Sequence, residues 1–89
     1  MTYRVEFAAR AERQFRALSR QLQVRLKPRI DSLAENPRPA GVQKLSGLDD
    51  LYRIRVGDYR VVYAIRDDVL LVLVVRVAHR RDVYRRPPG

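Results

Sequence analysis

Polar and apolar positions alternate in "TYRVEF": Tyr3, Val5 and Phe7 fall on one side and Arg4 and Glu6 on the other, the period of a half-buried β-strand. From Ala8 the period changes. Ala8, Ala11, Phe15, Leu18 and Leu22 recur three and four apart, which predicts an amphipathic helix over 8–20 with its arginines in solvent. Leu22, Leu26, Ile30 and Leu33 carry the same spacing on to about Glu35, predicting a second helix that returns against the first as a helical hairpin. Pro28 lies inside that second helix, where it removes one backbone hydrogen bond and crowds the preceding turn. A kink or a later helix start is expected there. "ENPRPAG" then stops the helix, and "KLSGLDD" leads toward the sheet with Lys44 and Leu45 entering extended structure.

From Leu51 the pattern is β. "LYRIRV" (51–56), "YRVVYAIR" (59–66) and "VLLVLVVRV" (69–77) are separated by Gly57-Asp58 and Asp67-Asp68, which predicts an antiparallel three-stranded meander. The third run is apolar on both faces and is expected to be the most buried strand, covered by helices on at least one side. The closing "AHRRDVYRRPPG" is basic and has room for one helical turn. The fold class is α+β: an N-terminal strand, a helical hairpin, then the meander as a small twisted sheet packed by the helices. With no internal repeat, linker or low-complexity segment, residues 1–89 read as a single domain.

A two-residue turn at Gly57-Asp58 would pair Val56 with Tyr59, Arg55 with Arg60 and Arg53 with Val62. Alternation then puts Arg53, Arg55 and Arg60 on one face and leaves no Asp or Glu among them. Like charges opposite one another across a ladder destabilise it, and an anionic ligand would remove the conflict. The bland alternative is that strand arginines merely block edge-to-edge aggregation. The other face carries Tyr52, Ile54 and Val56 against Tyr63, Val61 and Tyr59, a surface suited to packing under helices. The register of the third strand does not follow from the sequence, so Arg76 is left without an assigned face.

Charge sharpens this picture. The 19 Lys and Arg against 10 Asp and Glu leave a net charge of +9, and only Lys27 and Lys44 among those cations are not arginine. Arginine suits bidentate phosphate contacts, so a polyanion is the expected partner, nucleic acid ahead of a membrane surface. The chain has no cysteine and one histidine, which excludes a disulfide framework, a zinc-thiolate site, a thiol nucleophile and a multi-histidine metal site. The N-terminal stretch lacks an apolar leader and the apolar run at 69–75 is too short to span a bilayer, so a cytoplasmic location is expected, with no membrane partner.

An arginine-lined cleft with histidine and tyrosine but no metal or other cofactor suits cleavage of RNA by its own 2′-hydroxyl. That reaction needs a base for the hydroxyl, cationic stabilisation of the phosphorane and an acid for the leaving 5′-oxygen. Arginine stays protonated and supplies only the stabilisation. Candidates for proton transfer are His79, the side-chain type used most often as a general acid or base, and Tyr84, whose phenolate Arg80, Arg81, Arg85 and Arg86 would favour. A surface histidine at a strand end accounts for His79 equally well, and Tyr84 would also serve as an anchor for the tail or as a stacking platform for a base. Lys44, Arg76, Arg81 and Arg85 are candidate RNA contacts.

The string "KLSGLDDLYRIRVGDYRVVYAIRDD" followed by "VLVVRVAHRRDVYR" resembles the RelE/ParE superfamily of type II toxin-antitoxin toxins, and more closely its RelE branch. The resemblance covers nearly the whole chain, including the opening strand and "AARAERQFRAL". It implies a ribosome-dependent endoribonuclease that cuts mRNA through 2′-hydroxyl attack and inhibits translation. Arg53, Arg55 and Arg60 then match the family's basic strand residues, Arg80 its C-terminal arginine and Tyr84 its catalytic tyrosine, with His79 where members carry histidine or lysine. Best-studied RelE toxins have lysines in place of Arg53 and Arg55. A lysine exchanges a proton and an arginine scarcely does, so catalysis would rest more on His79 and Tyr84. The resemblance also implies a cognate, RelB-like antitoxin, with operator DNA bound only through the antitoxin complex. The alternatives are a ParE-like inhibitor of DNA gyrase without nuclease activity and a non-catalytic nucleic-acid-binding module.

Overall fold

Residues 2–45 and 50–81 are described by the computed structural model. In chain order they form β1 (Arg4–Phe7), α1 (Ala9–Arg16), α2 (Arg20–Asp31) with a 3-10 turn at Ser32–Ala34, β2 (Gln43–Lys44), β3 (Leu51–Val56), β4 (Tyr59–Arg66) and β5 (Leu71–His79). The strands make one sheet in the order β1-β5-β4-β3-β2. The predicted meander is its centre, widened by a strand at each edge. Because the helices carry the chain across one face and the meander brings it back, β1 ends up parallel to β5, with Arg4 opposite Leu71 and Phe7 opposite Val74.

The two predicted helices are present, and the turn between them comes earlier than the apolar spacing places it, at Ala17–Ser19. α1 stops at Arg16, and Ser19 opens α2 by accepting the Leu22 N–H at 3.2 Å. The Gln23 side-chain amide donates to the carbonyls of Arg16 and Leu18, at 3.3 and 3.0 Å, and so closes the end of α1. α2 begins before Pro28 rather than after it and runs through the proline to Asp31. Pro28 is exposed, so water can solvate the carbonyl that its missing N–H leaves unpaired. The last residues of the predicted helix tighten into the 3-10 turn.

Leu26 and Ile30 of α2, Leu33 of the turn and Ala11 of α1 press on one sheet face, where Ile54, Val61, Tyr63 and Val74 are buried with them. α1 sits over β5 and β1, and α2 over β3. Neither α1 nor α2 packs on the opposite face. β5 begins two residues later than its apolar run, because Asp67–Leu70 form a turn closed by the Leu70 N–H on the Asp67 carbonyl at 3.4 Å. Leu70 adopts φ +50° there, a left-handed conformation that costs a leucine about 1–2 kcal/mol.

Midway along β5 the ladder slips. Tyr63 faces Val74 but Val62 faces Arg76, so Val75 is an extra, bulged residue. The bulge resets the alternation: Val72, Val74 and Val77 all reach the core, and Arg76 turns to the face opposite α1 and α2. Gln14 of α1 supports the irregularity, its Oε1 accepting the Val77 N–H at 2.8 Å.

The end of the sheet away from the Gly57 turn is latched by side chains. Asp67 accepts from the Tyr3 hydroxyl at 2.5 Å and from Arg38 Nη2 at 2.9 Å, and the Arg38 guanidinium lies 5.2 Å from the centre of the Tyr52 ring. The Arg38 and Tyr3 hydrogen bonds hold the Asp67 carboxyl below the usual carboxylate range, and the same carboxylate raises the Tyr3 phenol. Tyr63, fully buried, donates to the Pro37 carbonyl at 2.7 Å, and burial pushes its phenol up to about 12.

Candidate functional site

β3 and β4 meet in the register that a two-residue turn dictates: Val56 opposite Tyr59, Arg55 opposite Arg60, Arg53 opposite Val62. Gly57 takes φ +61° and Asp58 stays at negative φ, the pattern of a type II′ hairpin turn. Arg53, Arg55 and Arg60 therefore share the face that the helices leave open. Arg60 sits between Arg55 on β3 and Ala78 on β5 and is only 4% exposed, so its guanidinium is held in place rather than sweeping through solvent. The bulge adds Arg76 to this face beside Val62. Its Nε is buried with no hydrogen-bond partner among the described residues.

Arg80 arrives from the end of β5. Its N–H donates to the Asp58 carbonyl at 2.7 Å, which ties the start of the terminal segment to the hairpin turn. Arg55, Arg60 and Arg80 thereby line one crevice of about 30 Å³, together with Tyr59 and Asp58. That volume holds roughly one water or one phosphate oxygen. Asp58 corrects the expectation of a patch without acidic residues, since strand alternation says nothing of the turn itself. Three guanidinium groups around so small a space can stabilise charge on a phosphorane, and none of them can take a proton from a hydroxyl.

His79 is placed differently. It lies opposite Tyr59 on the helix-covered side of the sheet, the two rings edge to face at 5.2 Å between centres. Its Nδ1 accepts the Arg81 N–H at 3.1 Å, which assigns the proton of the neutral ring to Nε2. It does not line the crevice. Lys44 pairs with Tyr52, so its side chain leaves the sheet on the side opposite Arg53. Gln43 takes the place expected of Lys44, and its Oε1 accepts from Arg53. Arg81 is exposed beyond the strand end. Tyr84 and Arg85 lie outside the described residues.

A second hollow, of about 420 Å³, adjoins the crevice at the edge of β3 and includes Arg29 of α2 beside Arg53 and Arg55. Arg29 is not among the sequence-predicted site residues. Sequence periodicity places Arg29 on an outer helix face and is silent on what stands next to that face. Among the described residues, no group of three or more His, Cys, Asp or Glu side chains gathers as a metal site. No helix there is long and apolar enough to cross a membrane.

The family model of the ParE toxin of type II toxin-antitoxin systems, parDE, matches residues 5–84. The mRNA interferase toxin RelE of Escherichia coli is 33% identical over 88 residues, spanning 94% of this chain and 92% of that protein. A chain of the archaeal RelE–RelB complex from Pyrococcus horikoshii superposes with a TM-score of 0.78 at 32% identity, covering 90% of this chain and 97% of its own. The intact E. coli RelBE toxin-antitoxin complex contributes a chain with a TM-score of 0.76 at 32% identity, covering 86% and 95%. The chain belongs to the ParE toxin family of type II toxin-antitoxin systems and, within the RelE/ParE superfamily, to its RelE-like branch.

Proposed function

We propose that this protein is a ribosome-dependent mRNA endoribonuclease. The observation that carries the reading is the meeting of Arg55, Arg60 and Arg80 at one crevice, with Arg53 and Arg76 on the same open face. In the proposed reaction a 2′-hydroxyl of the RNA attacks the adjacent phosphorus, its proton passes to a base, and the 5′-oxygen leaves with a proton from an acid. The products are a 2′,3′-cyclic phosphate and a free 5′-hydroxyl. Arg55, Arg60 and Arg80 carry the negative charge that builds on the phosphorane oxygens, a role worth about 10²–10³-fold per donor when the donors are preorganised. Tyr84 is assigned to proton transfer. Arg53, Arg76, Arg81 and Arg85 bind the RNA backbone, Lys44 contacts it from the other side of the β3 edge, and no metal takes part.

Relatives with this fold occur in RelE–RelB complexes, which supports a cognate antitoxin as partner here. A chain of net charge +9 offers an acidic antitoxin segment fast, steered association, and operator DNA would be reached through that antitoxin. A second reading, inhibition of DNA gyrase without cleavage, is favoured by the ParE family match over residues 5–84. The test is purified protein in a translation reaction, with mRNA ends mapped by primer extension. Cuts phased to the reading frame and absent without ribosomes support the nuclease. Intact mRNA together with gyrase-dependent DNA breaks establishes the second reading instead.

A further inference from the structure

The hollow at the β3 edge is built from four parts of the chain. Arg29 comes from the last turn of α2, Gly41 from the loop before β2, Gln43 from β2, and Arg53 and Arg55 from β3, around about 420 Å³. Pro39–Val42 form the rim, a turn closed by the Val42 N–H on the Pro39 carbonyl at 3.1 Å with Gly41 at φ +86°. That volume falls in the range of small-ligand sites.

Among the described residues, three arginines line this hollow and no carboxylate does. Neither Arg29 nor Arg55 forms an ion pair with a described residue, although Lys27, on the same helix, pairs with Asp31 at 3.0 Å. A basic residue in the last turn complements the helix dipole, which explains charge at position 29 but not its convergence with two strand arginines.

The backbone contributes as well. β2 covers β3 only at Tyr52 and Arg53, so the edge at Arg55 has no partner strand among the described residues. The Leu51 carbonyl points outward to the Leu45 N–H, and by the two-residue period of a strand the Arg55 peptide groups point the same way. An exposed N–H thus joins three guanidinium groups. Arg55 lines both the hollow and the crevice, so a strand lying in one continues into the other.

We propose that the hollow is a second phosphate subsite, taking a phosphodiester that flanks the scissile one on the same RNA strand, with Arg29 as its outer clamp. This rests on the endoribonuclease reading for the identity of the strand. It extends the RNA path from the open face around the β3 edge to the helix side of the molecule.

The test uses the full-length chain and a fluorescently labelled single-stranded RNA octamer of 2′-O-methyl nucleotides, which has no free 2′-hydroxyl. Affinity is read by anisotropy as salt is raised from about 50 to about 200 mM. Arg29→Ala is expected to lower the slope of log affinity against log salt by about 0.7, the loss of one phosphate contact on a single strand. Arg29→Lys should keep the slope. Arg10→Ala, which removes the same charge from the exposed face of α1, should leave it at the wild-type value. Equal slopes for Arg29→Ala and Arg10→Ala, or a wild-type chain that does not bind the octamer, would overturn the subsite. Cleavage without an Arg29-specific slope change sinks the subsite alone. The slope change without cleavage sinks the nuclease reading and leaves Arg29 as a phosphate contact with no scissile bond beside it, which overturns the subsite as a flanking one.

Discussion

The bulge in β5 decides whether Arg76 faces the open side or the core, and Gln14 is the only described side chain that hydrogen-bonds the irregular stretch at Val77. Truncating Gln14→Ala leaves the Val77 N–H without its 2.8 Å acceptor in a half-buried position between α1 and the sheet. An unsatisfied buried donor costs about 1–3 kcal/mol, and partial access of water puts the expected loss near 1–2 kcal/mol. For a domain of this size 1 kcal/mol moves Tm by about 4–8 °C, so the variant should melt roughly 5–12 °C below wild type. Gln14→Glu keeps an acceptor at the same reach and should lose less than half as much. Thermal melts followed by circular dichroism give the comparison, with Gln21→Ala on the exposed face of α2 as the control. Amide exchange at Val77 should speed up in Gln14→Ala and not in the control. A Gln14→Ala protein that melts with wild type and protects Val77 equally would show that the bulge holds itself, and the reasoning about its support would be wrong.

The hairpin turn and the buried phenol yield two more expectations. Gly57→Ala forces a left-handed φ of +61° on a residue with a Cβ, at about 1–2 kcal/mol, while its nearest described neighbour, the Arg25 guanidinium carbon at 3.9 Å, is an ordinary contact. A urea melt should therefore show a loss of that size, and no loss would mean that the turn relaxes to another type. Tyr63, held at about 12 when folded against an ordinary value of 10.0, favours the folded state below pH 10 and loses that contribution as pH rises from 10 to 12. Stability should fall by about 2–3 kcal/mol across that window, and Tyr63→Phe should flatten the fall. Parallel pH profiles for the two proteins would refute the assignment.

Much of the fold is written in local pattern. β3 and β4 end where their turn residues say, because a Gly-Asp pair between alternating runs leaves one register that buries Tyr52, Ile54 and Tyr63 together. That two helices follow β1 is legible, but the position of the turn between α1 and α2 is not, because Leu18 and Leu22 keep helical spacing across it and only the side chains of Ser19 and Gln23 mark it. The pairing of β1 with β5 joins residues more than sixty apart and has no local signature. The bulge is illegible for a different reason: "VLLVLVVRV" is apolar on both faces, so nothing in it marks the phase that Arg76 must take. At the site, the face shared by Arg53, Arg55 and Arg60 follows from the turn, whereas Arg29 and Gln43 join it only through tertiary contacts. His79 and Lys44 sit on the other side of the sheet because each lies directly opposite a tyrosine of the core face.

In the proposed mechanism the arginines clustered at the Gly57 turn, rather than positive charge in general, stabilise the phosphorane. Arg60 and Arg66 stand on the same strand and face, one buried at the crevice and the other exposed at the opposite end. The decisive measurement is the single-turnover rate of mRNA cleavage on programmed ribosomes for Arg60→Ala and Arg66→Ala. Under that mechanism Arg60→Ala should lose about 10²–10³-fold and Arg66→Ala should change by no more than a few-fold. Equal losses in the two variants, or full activity without Arg60, would contradict it.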